Sequence, residues 1–280
     1  MHRVAGFLFV KRFGSFKQGR YIVFMNENSD IEGNPLNQSG FPNEPSAPKP
    51  EPAFLIPTAM IWLVALLGAI HLIRLHGPEN WYFWSTAYFS FLPIRFNLPL
   101  SAGATDYGVW LTPFSHAFLH GDWTHLAVNC FWMVAFATPV LRRLGFVRFF
   151  MLFLGSSAAG ALFYFVLNDP YSSVPMVGAS GAVSGFMGAA ARFAFTIMRP
   201  GALNSHLGPR LSLLETLTDR TTVTFIFGFA IVNAVTGVGL VLPDGSAGIA
   251  WEAHLGGFVF GLLAFAAFDR NAQIREGDKV

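Results

Sequence analysis

Long apolar segments separated by short polar stretches dominate the chain from residue 54 onward. A helix that crosses a bilayer needs about 20 predominantly apolar residues. Six segments meet this requirement, at about 54–75, 123–141, 147–167, 178–198, 221–242 and 249–268, and are called segments one to six. Asp122 is placed to act as the N-cap of segment two. The pattern therefore predicts an all-α, polytopic membrane protein with a six-transmembrane-helix bundle.

The polar stretches predict how the chain is divided. Residues 1–24 are basic and aromatic, which predicts either a surface-lying tail or an upstream mistranslation, because Met25 offers a second start. Residues 26–52 are rich in Asn, Pro, Ser and Glu and are expected to be disordered. We therefore expect a largely disordered cytoplasmic tail at 1–52, a membrane domain at 53–270 and a cytoplasmic C-terminal tail at 271–280. The long aromatic loop 76–122 is expected to lie in the membrane interface.

Composition supports a membrane location. Hydrophobic residues make up 53% of the 280 residues, charged residues only 12%, and mean hydropathy is +0.46. That charged fraction is about half that of an ordinary soluble domain. The single cysteine, Cys130, excludes an internal disulfide and a cysteine-based metal cluster. The net charge of +2 gives no indication of nucleic-acid binding, and no such partner is expected.

The positions of arginine and lysine predict the orientation of the segments, because basic residues stay on the cytoplasmic side. The loops after segments two, four and six are basic, whereas 168–177 and 243–248 contain neither residue. The long outer loop carries Arg74 and Arg95. The basic residues after segments two, four and six are Arg142, Arg143, Arg148, Arg199, Arg210, Arg220, Arg270, Arg275 and Lys279. Both termini are therefore expected in the cytoplasm, and loops 76–122, 168–177 and 243–248 outside.

Four polar side chains fall at one depth in this topology. Ser180 lies in the first turn of segment four, and His254 about a turn and a half into segment six. His125 and Asn129 lie in the first two turns of segment two, four residues apart and therefore on one helix face. Ionisable residues inside a membrane are functional candidates. A serine, a histidine and two further donors are the parts that acyl transfer requires, as nucleophile, base and oxyanion hole.

Structural readings of these residues remain open at this point. Small residues such as Gly178-Ala179-Ser180-Gly181 are typical of closely packed membrane helices. His254 could bond a backbone carbonyl, and His125 and Asn129 could form interhelical hydrogen bonds.

A zinc site is a further alternative for the histidines. It would use His116, His120 and His125, but the chain has no HExxH motif, and only Asp122 among the carboxylates has ligand spacing. We therefore expect no metal and no cofactor.

Three motifs resemble those of the rhomboid family of intramembrane serine proteases, bacterial six-helix type. One is His116-(3)-His120-(4)-His125-(3)-Asn129, the second is Gly178-Ala179-Ser180-Gly181, and the third is Ala253-His254-x-x-Gly257-x-x-x-Gly261. They occur in the family's order over about residues 54–268. The resemblance implies a serine endopeptidase that cleaves transmembrane segments of membrane proteins near their outer end. It also implies a multi-pass protein of the bacterial inner membrane.

The resemblance implies a role for each matched residue. Ser180 would be the nucleophile and His254 the general base of a dyad. His125, Asn129 and the backbone N–H of Ser180 would bind the oxyanion. The matched residues with structural roles would be His116, His120, Gly178, Gly181, Gly257 and Gly261.

Two departures from the family pattern involve three positions. Leu111 and Thr112 replace a Trp-Arg pair found in some relatives, and Ser184 replaces an aromatic residue that packs on the catalytic histidine. What orients His254 is therefore not given by the sequence, since neither Trp251 nor Glu252 can be assigned that role. Substrate is expected to enter laterally from the membrane past segment five, and the loop 243–248 at the outer end of that segment is expected to act as a mobile cap.

Two other function classes are weighed against a protease. A non-catalytic rhomboid-like protein would bind membrane proteins without cutting them, but such relatives usually lack the serine or the histidine. A transporter would use the polar cluster as an ion site, but no carboxylate lies in the middle of a predicted segment. The expected partners are transmembrane substrates and the lipid bilayer. The sequence does not indicate the physiological substrate or the oligomeric state.

Overall fold

The computed structural model describes residues 56–97, 107–197, 206, 208–237 and 249–269. The N-terminal tail 1–52, the proposed cap 243–248 and the C-terminal tail 271–280 lie outside the described residues, so their expected properties stay predictions.

Within the described ranges the regular secondary structure is helical. It comprises ten α-helices, short 3₁₀ turns and a single β-bridge between Phe91 and Met176. The helices are α1 (Thr58–His76), α2 (Trp81–Phe89), α3 (Ile94–Asn97), α4 (Thr112–Ser115), α5 (Trp123–Leu144), α6 (Phe146–Leu167), α7 (Ser180–Ala191), α8 (Leu213–Thr218), α9 (Arg220–Gly237) and α10 (Trp251–Phe268). The predicted all-α class is confirmed.

Five of these helices, α1, α5, α6, α9 and α10, are long and apolar enough to cross a membrane. They correspond to segments one, two, three, five and six of the sequence. The N-cap prediction is also confirmed, because Asp122 Oδ1 accepts a hydrogen bond from the backbone N–H of His125 at 2.8 Å. The chain is therefore an integral, multi-pass membrane protein.

Segment four differs from its prediction at both ends. Helix α7 has 12 residues, Ser180–Ala191, instead of spanning 178–198, and a 3₁₀ turn at Ala194–Ile197 follows it. At about 1.5 Å per residue it is about 18 Å long, against about 30 Å for a bilayer core. Gly178 lies before the helix with a φ of +122°, which a helical residue does not adopt. Ten residues of α7 are buried, so its apolar residues face protein. Hydropathy does not distinguish such residues from apolar residues that face lipid, which is why the segment was predicted to be longer.

Helix α7 is the central helix and packs most extensively against α10. A Cβ at Gly257 would collide with the carbonyl oxygen of Gly181, and a Cβ at Gly261 with that of Gly185. These two pairs therefore bring the backbones of α7 and α10 into direct contact, as small residues do in membrane helix pairs.

The long loop between α1 and α5 contains α2, α3 and α4, each too short to cross a bilayer. Arg74, buried at the end of α1, ties the loop together. Its guanidinium donates to Ser85 Oγ at 2.9 Å, Thr86 Oγ1 at 2.8 Å and the carbonyl of His120 at 2.8 Å. The bridge between Phe91 and Met176 then joins the loop to the chain that leads into α7.

The glycine contact between α7 and α10 predicts a position-specific loss of stability. Gly261→Ala should lower the thermal midpoint in detergent, because overpacking against a backbone that cannot move away costs about 1–3 kcal/mol. Gly68→Ala is the matched control, since a Cβ at that helical glycine meets nothing within 4 Å. Equal midpoints for the two variants would show that α7 and α10 are not in backbone contact.

Candidate functional site

The N-terminus of α7 forms the centre of the site. Ser180 is the first residue of the helix, is half-buried and follows the N-cap Ala179. The N–H groups in the first turn of a helix have no intrahelical partner, and the helix dipole is positive at this end. A negative charge that develops beside Ser180 would therefore be stabilised by the backbone.

The turn that leads into Ser180 is fixed by contacts with the long loop. The N–H of Gly178 donates to the carbonyl of His116 at 3.0 Å. The next N–H, that of Ala179, donates to His120 Nε2 at 3.5 Å. The loop residues thus determine where the chain turns into α7.

His116 and His120 are both buried, and both contact backbone groups. His116 Nε2 lies 3.3 Å from the carbonyl oxygen of Ser157 on α6. Burial lowers the pKa of His116 to about 4. Burial is the largest cause, and repulsion from positive charge on neighbouring His and Arg side chains the second, of a pKa of His120 lowered to about 3. Both rings are therefore neutral at physiological pH, which leaves His120 Nε2 able to accept from Ala179.

His125, in the first turn of α5, faces this same turn. Its Nδ1 accepts from the N–H of Gly121 at 3.4 Å, so the ring proton of the neutral form lies on Nε2. Nε2 lies beside Gly178, where an added Cβ would be only 2.8 Å from it. The N–H of His125 Nε2 is therefore directed to the region next to Ser180.

Asn129 is buried one turn further along α5. Its Nδ2 donates one hydrogen bond to the carbonyl of His125 at 2.8 Å. An amide nitrogen carries two hydrogens, so the second N–H of Asn129 can serve another acceptor.

His254 lies in the first turn of α10 and is half-buried. Its Nδ1 is 2.8 Å from Oδ1 of Asn233 on α9. Sequence reasoning missed Asn233, although a lone amide midway along an apolar segment is a usable signal for a buried polar contact. Nδ1 is thus occupied, and Nε2 is the ring nitrogen left for other chemistry.

The register of α7 against α10 places Ser180 and His254 at the same end of the helix pair. Gly181, next to Ser180, contacts Gly257, which lies one turn after His254. Among the described residues no hydrogen bond joins the side chains of Ser180 and His254. Such bonds are often long in unliganded sites and shorten when substrate binds.

The histidines do not form a metal-binding arrangement in the described part of the chain. No group of three or more His, Cys, Asp or Glu side chains there could hold a metal ion. The ring nitrogens of His116, His120 and His125 instead lie against backbone groups, in α6, in the turn before α7 and in the long loop respectively.

Comparison with known proteins is consistent with this arrangement. The Rhomboid domain family matches residues 107–270, which include all the site residues described above. Rhomboid protease GluP of Bacillus subtilis (strain 168) is 30% identical over 164 residues, which are 57% of this chain and 26% of that protein. Rhomboid protein 1, mitochondrial, of Saccharomyces cerevisiae is 31% identical over 150 residues, 52% of this chain and 38% of that protein.

The putative rhomboid protease YdcA of Bacillus subtilis (strain 168) is 36% identical over 81 residues, 29% of this chain and 40% of that protein. The chain thus matches well under half of the length of each of these relatives. The family match itself covers more than half of the chain and contains α4 to α10. On this match and on the all-α, multi-pass bundle that it overlaps, the chain belongs to the rhomboid family.

Proposed function

We propose that this protein is an intramembrane serine endopeptidase that cleaves transmembrane segments of membrane proteins near their outer end. The observation that carries the proposal is the close approach of α7 and α10, which puts Ser180 and His254 at one end of the bundle. Family membership supports the same reaction class, since relatives are named as rhomboid proteases.

In the proposed reaction, Ser180 Oγ attacks the carbonyl carbon of the scissile peptide bond. His254 Nε2 takes the hydroxyl proton as general base and then donates it to the leaving amine. The acyl-enzyme is hydrolysed by water, with His254 again acting as base. Nδ1 is not needed for proton transfer, which fits its hydrogen bond to Asn233.

The oxyanion of the tetrahedral intermediate would lie between α5 and α7. Three donors are available there, the backbone N–H of Ser180, the Nε2–H of His125 and the second N–H of Asn129. The first turn of α7 holds the Ser180 N–H, the contact with the Gly121 N–H holds the His125 ring, and the His125 carbonyl holds the Asn129 amide. Donors fixed in advance stabilise a developing charge without having to reorganise during the reaction.

Substrate is proposed to reach the site from the lipid past helix α9. Only 11% of its membrane window is buried, against 22–39% for the other four spanning helices. Of its residues only Thr222 and Asn233 are buried. A helix with so little packing can move aside at low cost, which would open a lateral path from the lipid to Ser180.

The two rival functions are less well supported. A non-catalytic membrane-protein-binding factor would not require a serine and a histidine at one end of the α7–α10 pair. A transporter would place ionisable groups along a path through the bundle. Within the described spanning helices the only acidic residue is Glu252, in the first turn of α10, so no such path of acidic groups is present there.

Catalysis by Ser180 is tested by labelling and cleavage. Ser180→Ala should abolish both fluorophosphonate labelling in membranes and cleavage of a transmembrane reporter, because the dyad has no second nucleophile. Ser184→Ala is the matched control, since Ser184 is buried one turn further along α7 and should be dispensable for both. Cleavage that persists in the purified Ser180→Ala protein would remove Ser180 from its role.

The role of Asn129 is tested by comparing rate and stability. If its amide donates to the oxyanion, Asn129→Ala should lower kcat; loss of one such donor costs roughly 10²–10³-fold. The second donor on His125 should keep the loss near the lower end. The thermal midpoint should fall little, because side-chain hydrogen bonds in membranes average about 0.6 kcal/mol.

Asn168→Ala is the control for Asn129, since Asn168 Nδ2 makes the same kind of bond, to Tyr164 O at 3.1 Å, outside the site. It should leave kcat unchanged. If Asn129→Ala shows near-normal kcat and a lowered midpoint, Asn129 is a packing residue.

Membrane orientation is tested with two cysteines in a Cys130→Ala background. Tyr171 in the loop before α7 and Leu214 in α8 are 65% and 73% exposed. In intact cells Tyr171→Cys should react with an impermeant thiol reagent and Leu214→Cys should not, because the arginine-rich loops are proposed to be cytoplasmic. The reverse pattern would put Ser180 at the cytoplasmic end.

A further inference from the structure

Helices α9 and α10 meet along one stripe of each helix. Phe229 and Phe258 stack with ring centroids 4.5 Å apart. One turn along α9, Asn233 lies against His254, and one turn further Gly237 lies against the ring of Trp251. Residues four apart share a helix face, so this antiparallel register sets Asn233 opposite His254.

The orientation of the Asn233 amide follows from its second contact. Asn233 is 7% exposed, and its Nδ2 lies 3.0 Å from the carbonyl oxygen of Trp251. A backbone carbonyl only accepts hydrogen bonds, so the amide nitrogen and not the amide oxygen must face it. Oδ1 is therefore the atom that faces His254 Nδ1, at 2.8 Å.

The amide orientation in turn fixes the tautomer of His254. Since Oδ1 can only accept, Nδ1 of His254 must carry the proton, and Nε2 of the neutral ring carries a lone pair. A general base needs that lone pair on the nitrogen that faces the nucleophile. The carbonyl of Trp251 thus determines, through Asn233, which nitrogen of His254 can take a proton.

We propose that Asn233 is a positioning residue that holds His254 in the Nδ1-protonated tautomer, an inference that rests on the proposed protease function. It acts through His254 and does not touch the reacting atoms. Asn233 also supplies an orienting contact to His254 from α9. Helix α7 offers no aromatic ring for this purpose, because the residue one turn after Ser180 is Ser184.

A purely structural role for Asn233 is the competing explanation. Asn233 and Thr222 are the buried residues of α9, so the amide could serve only to hold α9 against α10. The two hydrogen bonds separate these roles. The bond from Nδ2 to Trp251 ties the helices, whereas the bond from His254 Nδ1 to Oδ1 sets the tautomer.

Asn233→Ala removes both bonds, and Asn233→Asp removes only one. An ionised Asp keeps an oxygen that accepts from Nδ1–H but cannot donate to the Trp251 carbonyl. Thr236→Ala is the matched control on the same helix, because the Thr236 hydroxyl bonds only to Val232 and Asn233 carbonyls within α9.

The kinetic arm measures kcat and KM for reporter cleavage per folded molecule, on the pH-independent plateau of each variant. Asn233→Ala should lower kcat about 10²-fold, as for a misplaced catalytic group, with KM nearly unchanged. Asn233→Asp should regain most of kcat despite a lower thermal midpoint, and Thr236→Ala should match the native chain. If Asp is as slow as Ala, or Ala is as fast as the native chain, Asn233 does not position His254.

The spectroscopic arm reads the tautomer without catalysis. In Ser180→Ala protein labelled with ¹⁵N-histidine, the His254 signals are those lost on His254→Ala. Its neutral ring should be protonated at Nδ1, and adding Asn233→Ala should shift the proton population toward Nε2. An unchanged tautomer overturns the inference.

The two arms also separate this inference from the proposed function. If the native chain neither labels with fluorophosphonate nor cleaves, the protease proposal fails and the tautomer measurement still decides whether Asn233 orients His254. If the native chain cleaves normally and Asn233→Ala does too, only the role of Asn233 fails.

Discussion

The rest of the structure depends on the backbone contact between α7 and α10. Gly257 and Gly261 leave no side chain between the helices, and the carbonyls of Gly181 and Gly185 occupy the space a Cβ would need. Two helices that approach this closely have little freedom to slide past each other, because their surfaces interlock at each turn. The position of Ser180 relative to His254 is therefore a consequence of packing along the helices, not of a bond between the two side chains.

The two ends of this helix pair are stabilised by different chemistry. At the Ser180 end, neutral groups bond to backbone, as in the contacts from Gly178 to His116 and from Ala179 to His120. At the opposite end, the buried Arg143 pairs with Asp269 at 2.8 Å, just beyond α10. This ion pair lies away from the site, and the proposed nucleophile, base and oxyanion donors are uncharged groups, which suits the stabilisation of an anion that forms only during a reaction.

Helix α9 combines weak packing with one specific polar contact. Most of its residues face away from the bundle, yet Asn233 reaches both Trp251 and His254. The helix proposed for substrate access is thereby connected to the proposed general base. Movement of α9 away from α10 would lengthen the hydrogen bond between Asn233 and His254. Substrate access past α9 and the orientation of the proposed general base would therefore be physically linked.

The sequence by itself determined the helical class, five of the membrane-length helices and the Asp122 cap, and it predicted one depth for the candidate site residues. These features depend on local periods and on hydropathy, which the order of residues fixes directly. The length of α7 and the role of Asn233 were decided only by tertiary structure. Hydropathy does not distinguish an apolar residue that faces lipid from one that faces protein, so segment four was predicted too long. The contact between Asn233 and His254 joins residues 21 apart in sequence, and it depends on the register in which α9 and α10 meet, where Phe229 stacks on Phe258.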